Sequence, residues 1–165
     1  MLRFLPETYA DLPEVEGLLD LAFAPGRELL SSYQLRQGVP PVPELSLIAR
    51  DDYDALVGAI RFWPVRVGAA GDPALLLGPV AVHPIRQGEG IGAALIGETL
   101  ERAAEAGWPG VILVGDEPYY RRFGFTRAAA GALDFPRPVN PARVLARPLR
   151  PDGLAHLAGA VRPWR

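Results

Sequence analysis

Leu75 to Ala94 reads LLLGPVAVHPIRQGEGIGAA, and the order of its parts decides the fold. The first eight residues are almost wholly apolar, too uniformly so for a half-exposed strand, which predicts a central strand over Leu75 to Val82. Gly78-Pro79 faults that strand, because proline cannot donate to a ladder and glycine permits a bulge. A strand bulged there splays from its neighbour and leaves room for an extended ligand. After His83-Pro84 comes a turn with glycines at 88, 90 and 92, and a helical pattern follows. Glycines remove the Cβ atoms that hold a ligand off the main chain and accept backbone angles closed to other residues. The N–H groups of the helix's first turn lack internal partners and carry its positive dipole end. Strand, bare loop and helix in this order suit a phosphate group.

Composition sets the frame around that stretch. A chain of 165 residues is read as one domain, 1–165, large enough for a real core. The hydrophobic fraction of 49% with 22% charged residues is that of an ordinary globular protein rather than a disordered or membrane-spanning one. A net charge of -2 gives no reason to expect nucleic acid or an anionic membrane as partner. With no cysteine there is no disulfide, no thiolate nucleophile and no Cys-ligated metal, and a reducing, cytoplasmic setting is expected. Acidic residues enter MLRFLPETYADL before any long apolar run, which argues against a signal peptide. All seventeen cationic side chains are Arg, a bias we attribute to the coding genome and not to chemistry.

Upstream, Leu2 to Leu5 reads as a short strand. Thr8 with Asp11 forms a capping-box pattern before an apolar stripe at Leu12, Val15, Leu19 and Ala22. That helix ends near Ala24-Pro25-Gly26. A weaker helical stretch spans about Arg27 to Gln37, and the prolines from 40 to 43 enforce extended chain. Leu45 to Ala49 and Leu56 to Val67 are read as an antiparallel pair, with Pro64 marking a bulge or an edge. Downstream, Gly90 to about Ala106 is helical, with Ile96, Leu100 and Ala103 on one face and a Glu98–Arg102 pair opposite. Val111 to Val114 is a buried strand and Tyr119 to Phe123 a short helix closed by Gly124. A strand from Phe125, a strand over Arg143 to Leu149 and a terminal helix over Asp152 to Gly159 complete the expectation. No repeat and no domain-splitting linker is present.

Two segments, VAVHPIRQGEGIGAALI and VILVGDEPYYRRFGF, together resemble the GNAT superfamily of N-acetyltransferases, in its YhbS-like branch. The first carries Gln87, Gly90 and Gly92 at the spacing of the family's cofactor motif, and the second carries Tyr120 four residues before Gly124-Phe125. The resemblance implies an α+β (mixed α/β) GNAT-like fold: a central, mostly antiparallel, splayed sheet of about six to seven strands flanked by about four helices. It implies acetyl-CoA as cofactor, the pantetheine arm paired with Val80, Ala81 and Val82, and the diphosphate wrapped by Gln87, Gly88, Glu89, Gly90, Ile91, Gly92 and Ala93. The reaction implied is transfer of an acetyl group to a primary amine, small-molecule or peptide, by direct attack in a ternary complex. A backbone N–H near Val80 would steady the thioester oxygen, and Tyr120 would be the general acid toward sulfur.

The general base stays open. LLLGPVAV holds no carboxylate, so Asp116, Glu117 or water are the candidates, with both acids equally suited to favouring a helix N-terminus. His83 is read as structural. Arg86 stands where the family often has an aromatic residue, and Arg121 and Arg122 are read as solvated. Because the base is missing, a non-catalytic acyl-CoA-binding module is the alternative. A P-loop site is excluded by the lack of Gly-Lys-Ser/Thr, and a dinucleotide-binding unit fits poorly with antiparallel strands ahead of the loop. No metal is expected. Substrate contacts are sought in Ala24 to Gly38, Phe62 to Gly71 and Pro136 to Arg143, and the oligomeric state, a homodimer included, is left open.

Overall fold

A computed structural model describes residues 1–23, 26, 27 and 30–165. Among these, one open sheet carries eight strands, with four α-helices about it. The strands are β1 (Arg3–Pro6), β2 (Leu47–Arg50), β3 (Leu56–Val67), β4 (Asp72–Val82), β5 (Gly110–Val114), β6 (Leu133–Asp134), β7 (Val144–Pro148) and β8 (Gly159–Pro163). The helices are α1 (Leu12–Ala22), α2 (Ser31–Gln34), α3 (Ile91–Glu105) and α4 (Glu117–Tyr120). The main order is β1-β2-β3-β4-β5-β7, with β8 against the far end of β3 and β6 beside β8. All these pairings are antiparallel except β4 with β5 and β6 with β8.

Alternation along the strands sorts the core into two faces. Leu75, Leu77, Val111 and Leu113 pack with Ile91, Leu95, Ile96 and Leu100 of α3. Leu76 and Ile112 point the opposite way, toward Trp63, Val144 and Phe135, while Val15, Leu18 and Leu19 of α1 cover Ile48, Ala59 and Ala81. The helix α3 can lie close because Gly58 has no side chain: a Cβ there would stand 2.9 Å from Ile91 Cγ2.

The fault expected in the central strand is present. On β4, Val80 pairs with Ile60 and Leu77 with Phe62, so Gly78 and Pro79 together oppose the single residue Arg61. One extra residue shifts the phase of the strand. Before the bulge the odd-numbered Leu75 and Leu77 face α3, and beyond it the even-numbered Val80 and Val82 pack on that side. Pro64 resolves as an edge position. It lies between the last residue paired with β2, Ile60, and the first paired with β8, Val65. The Phe62 carbonyl on that open side takes the Val42 N–H at 2.8 Å, and Pro64, two residues on, has no N–H to lose there.

Several boundaries differ from the sequence reading. Among the described residues of the stretch from Arg27 to Gln37, the only α-helix is the single turn α2, followed by turns to Gly38 at φ +71°; Ala24, Pro25, Glu28 and Leu29 lie outside the described residues. No strand starts at Phe125, whose neighbour Thr126 makes one isolated bridge to Ala146 before the chain turns. The terminal helix is absent as well. Residues 151–156 form turns instead, with Asp152 at φ +58°, and the chain enters β8 at Gly159. The two C-terminal pairing strands, β6 and β8, account for eight strands where six to seven were expected. Asp11 does close the start of α1, accepting from the Thr8 backbone N–H at 2.8 Å and its hydroxyl at 2.9 Å.

Candidate active site

Strands β4 and β5 share only two register pairs, Leu75 with Val111 and Leu76 with Ile112. Beyond them the strands part, and the bulge turns β4 away just where the partner is lost. One hydrogen bond sets the phase of what is left. His83 N–H donates to Val57 C=O at 2.9 Å, so the Gly58–Val82 and Ile60–Val80 pairs are the non-bonded kind. The main-chain N–H and C=O groups of Val80 and Val82 therefore point away from β3, into the gap. Buried main-chain groups need partners, and this gap offers a row of them to an extended ligand.

The gap opens on the α3 side into a hollow of about 520 Å³ lined by Val80, Val82, Arg86, Gln87, Gly88, Gly90, Ile91, Gly92, Ala93, Ile96, Tyr119, Tyr120 and Arg122. Gly88 at φ +86° and Gly90 at φ +82° adopt left-handed backbone, with open space where their side chains would stand. Gly92 is different: it sits in the helix, and a Cβ would meet only Val82 at an ordinary 3.4 Å. The first helical bond runs from Ala94 N–H to Gly90 C=O at 3.0 Å, which leaves the N–H groups of Ile91, Gly92 and Ala93 without partners inside α3. Glycine loop, free N–H groups and positive dipole end fit a diphosphate.

Two of the sequence-predicted cofactor residues do not line this hollow. The Ala81 side chain is buried on the opposite face, in the cluster with α1. Glu89 turns outward to take the Arg86 Nε–H at 2.8 Å. Arg86 does line it, held also by Asp51 at 3.1 Å, so two carboxylates already meet its charge. Arg122, read as solvated, is at the rim with its guanidinium 4.5 Å over the Tyr119 ring. Arg121 instead pairs with Glu117 at 3.5 Å. Ile96 and Tyr119 escaped the sequence reading as lining residues, Ile96 because its helical period marked only core.

A second, smaller hollow of about 150 Å³ lies on the other side of the splay, between Leu76–Val80, the end of β5 and the chain around α2. Val80 and Tyr120 line both hollows. Tyr120 is held by aromatic neighbours, Tyr119 at 5.0 Å, Phe125 at 6.1 Å and Phe123 at 6.3 Å between ring centroids. Its ring also fills the space where a Gly115 side chain would be, since a Cβ there would stand 2.4 Å from Tyr120 Cε2. Burial, with Tyr119 and Asp116 adding to it, raises the Tyr120 hydroxyl above its ordinary value, so it keeps its proton at neutral pH.

The carboxylates weighed as bases are committed elsewhere. Glu117 accepts the Arg127 backbone N–H at 2.8 Å, and that bond first of all holds it below the usual range. Asp116 is exposed and pairs with Arg143 at 3.2 Å. His83 takes the Ile85 N–H on its ring nitrogen at 3.3 Å, a turn-capping role. Among the described residues no carboxylate lines either hollow. Of the segments expected to meet substrate, 24–38 supplies Arg27, Leu30, Ser32, Tyr33 and Arg36 to the smaller hollow. Phe62 to Gly71 supplies none, and Arg137, Val139 and Pro141 line a separate depression.

A family model described as an acetyltransferase (GNAT) domain matches residues 43–127, from the turn before β2 through the glycine loop to the residues after Tyr120. The chain belongs to the GNAT acetyltransferase family. Among curated relatives of this GNAT chain, the uncharacterized N-acetyltransferase YhbS of Escherichia coli is 30% identical over 151 residues, 92% of this chain and 89% of its own. YjhQ, also from Escherichia coli, is 34% identical over 131 residues, 78% and 70% of the two chains. Among solved structures, Escherichia coli YhbS in complex with CoA superposes with a TM-score of 0.83 at 28% identity, over 98% of this chain and 89% of that one. A GNAT family acetyltransferase from Brucella melitensis in complex with acetyl-CoA superposes with a TM-score of 0.73 at 32% identity, over 98% and 95%.

Proposed function

We propose that this GNAT chain is an acetyl-CoA-dependent N-acetyltransferase that carries an acetyl group directly to the primary amine of a bound acceptor. The observation that carries this reading is the pair of hollows meeting at Val80 and Tyr120, which lets donor and acceptor approach from opposite sides of one opening. The relatives crystallised with CoA and with acetyl-CoA support the donor. The residues suit that group: glycines 88 and 90 leave bare backbone, Ile91 to Ala93 offer N–H donors, and Arg86 and Arg122 stand at the rim. Acetyl-CoA supplies an activated acyl carbon and a sulfur leaving group.

The chain's own residues then have three tasks. Val80 and Val82 orient the arm through main-chain bonds, and the Val80 N–H steadies negative charge on the acyl oxygen. Tyr120 holds a proton that it gives to the departing sulfur. The two hollows, meeting at Val80 and Tyr120, bring amine and acyl carbon together, so that proximity supplies much of the acceleration. With no carboxylate in either hollow among the described residues, water takes the proton released by the amine.

That same lack of a base favours one other reading, a module that binds acyl-CoA without turning it over. Calorimetry with acetyl-CoA followed by a thiol-release assay over a panel of amines separates the two. Binding together with amine-dependent thiol release is expected. Tight binding without any acceptor-dependent release would establish the module instead.

A further inference from the structure

The smaller hollow contains a cation that no carboxylate among the described residues pairs with. Three arginines stand near it, and two are matched: Arg27 pairs with Glu16 at 2.7 Å and with Asp20, and Arg61 pairs with Glu7 at 2.8 Å and with Glu16 at 3.4 Å. Arg36 has no such partner. No carboxylate among the described residues forms an ion pair with it, and its buried Nε has no hydrogen-bond partner. The guanidinium lies with its carbon 4.2 Å over the Tyr33 ring and 5.5 Å from the Trp63 ring centroid. One terminal nitrogen reaches the bulge, where a Cβ on Gly78 would be 3.3 Å away. Burial lowers its pKa to about 10, partly opposed by Tyr33 and reinforced by Arg61, so it remains a cation at neutral pH.

Leaving a buried charge unmatched is costly unless something else meets it. Here the Tyr33 and Trp63 rings lie against the guanidinium, and its parallel N–H donors match a carboxylate. Phe23, Leu30, Leu76, Leu77 and Pro79 give the hollow an apolar wall, beside the already paired Arg27 and the hydroxyl of Ser32. A volume of about 150 Å³ suits a compact molecule rather than a folded partner.

We propose that the acceptor is a small apolar amino acid, and that Arg36 binds the carboxylate beside its reacting amine. This rests on the transferase reading for the amine but concerns a different residue and a different hollow. This cation beside the bulge then sets acceptor choice, disfavouring amines that carry no acid and simple polyamines.

A binding measurement tests it without requiring turnover. The chain, first shown to bind CoA, is titrated in the presence of CoA with N-acetyl-L-leucine and N-acetyl-L-phenylalanine, and in parallel with their primary amides. The carboxylates are expected to bind roughly tenfold to a hundredfold more tightly, the worth of a charge-assisted hydrogen bond. Arg36→Met should erase that preference and leave CoA affinity unchanged, while Arg36→Lys keeps part of it. Equal affinity of acid and amide in the unaltered chain overturns the proposal, as does a preference that survives in a folded Arg36→Met. Tighter binding of the matching aminophosphonate derivatives would also overturn the carboxylate assignment. The comparison in the unaltered chain decides alone should the variant not fold. Failure to bind CoA at all would instead strike the transferase reading.

Discussion

Tyr120 and the loop glycines show how differently single residues can matter in one site. Tyr120→Phe removes a hydroxyl and keeps the ring that packs on Gly115 and Phe125, so CoA affinity should hold while kcat falls about a hundredfold or more. Because burial lifts this hydroxyl above its ordinary value, its loss of a proton should not limit the rate around neutral pH, and pre-steady-state thiol release across pH 6–9 checks both points. A rate unchanged in Tyr120→Phe would remove the tyrosine from the chemistry. Among the glycines, Gly90→Ala forces a Cβ into left-handed backbone at a cost of roughly 1–2 kcal/mol, whereas Gly92→Ala meets only an ordinary contact. Denaturant melts of the two variants should differ by about that amount, with Gly92→Ala near the unaltered chain.

At the scale of elements, the bulge in β4 was legible in advance because glycine and proline leave few other options within an apolar strand. Its consequence was not. That Val80 and Val82 turn their main chain to the gap follows from the His83–Val57 bond and the register with β3, which no local pattern encodes. The stretch from about Arg27 to Gln37 looks helical by spacing, yet among its described residues only Ser31–Gln34 form an α-helix; the chain there brings Tyr33 and Arg36 to the second hollow, and tertiary contacts override propensity. Gly115 carried no signal at all, since its role is to vacate space for a ring five residues on. Gly115→Ala should therefore displace Tyr120 and lower kcat with little change in CoA affinity, which a paired rate and binding measurement would show.

The junction of α1 with β2 gives a prediction about pH. Arg50, buried, donates to Asp11 at 2.8 Å and to Glu14 at 2.8 and 3.1 Å. Asp11 lies below its usual value chiefly through the Thr8 backbone bond and Glu14 below its own chiefly through Arg50. Both native-state values are depressed, so the stabilisation is complete above the ordinary 3.8 and 4.5 and is lost as pH falls through the lowered values. Urea melts between pH 6 and 3 should show a steep acid decline that flattens in Arg50→Met. An unchanged slope would mean that other carboxylates carry it.

Over the whole molecule, the antiparallel half of the sheet, the helix α3 and the strands β5 and β7 could be read from local pattern, whereas the two short C-terminal strands could not. These strands, β6 and β8, pair with residues far away in the chain, and residues 151–156 form turns where a helix was expected. Binding should couple to the stability of this assembly, because the proposed cofactor bridges β4, the glycine loop, α3 and α4. At a hundredfold excess over Kd, a ligand adds about 2.7 kcal/mol, which for a chain of this size raises Tm by roughly 5–11 °C.

That coupling leads to the most direct test of the central claim, that the loop from Gln87 to Ala93 holds a diphosphate while the broken strand receives the thiol-bearing arm. The measurement is a calorimetric titration of the folded chain with CoA and, separately, with pantetheine, which keeps the arm and lacks the diphosphate. CoA should bind with saturable heat and a raised Tm, and pantetheine at least a hundredfold more weakly. No binding of CoA at millimolar concentration, or equal affinity for the two, would contradict the account.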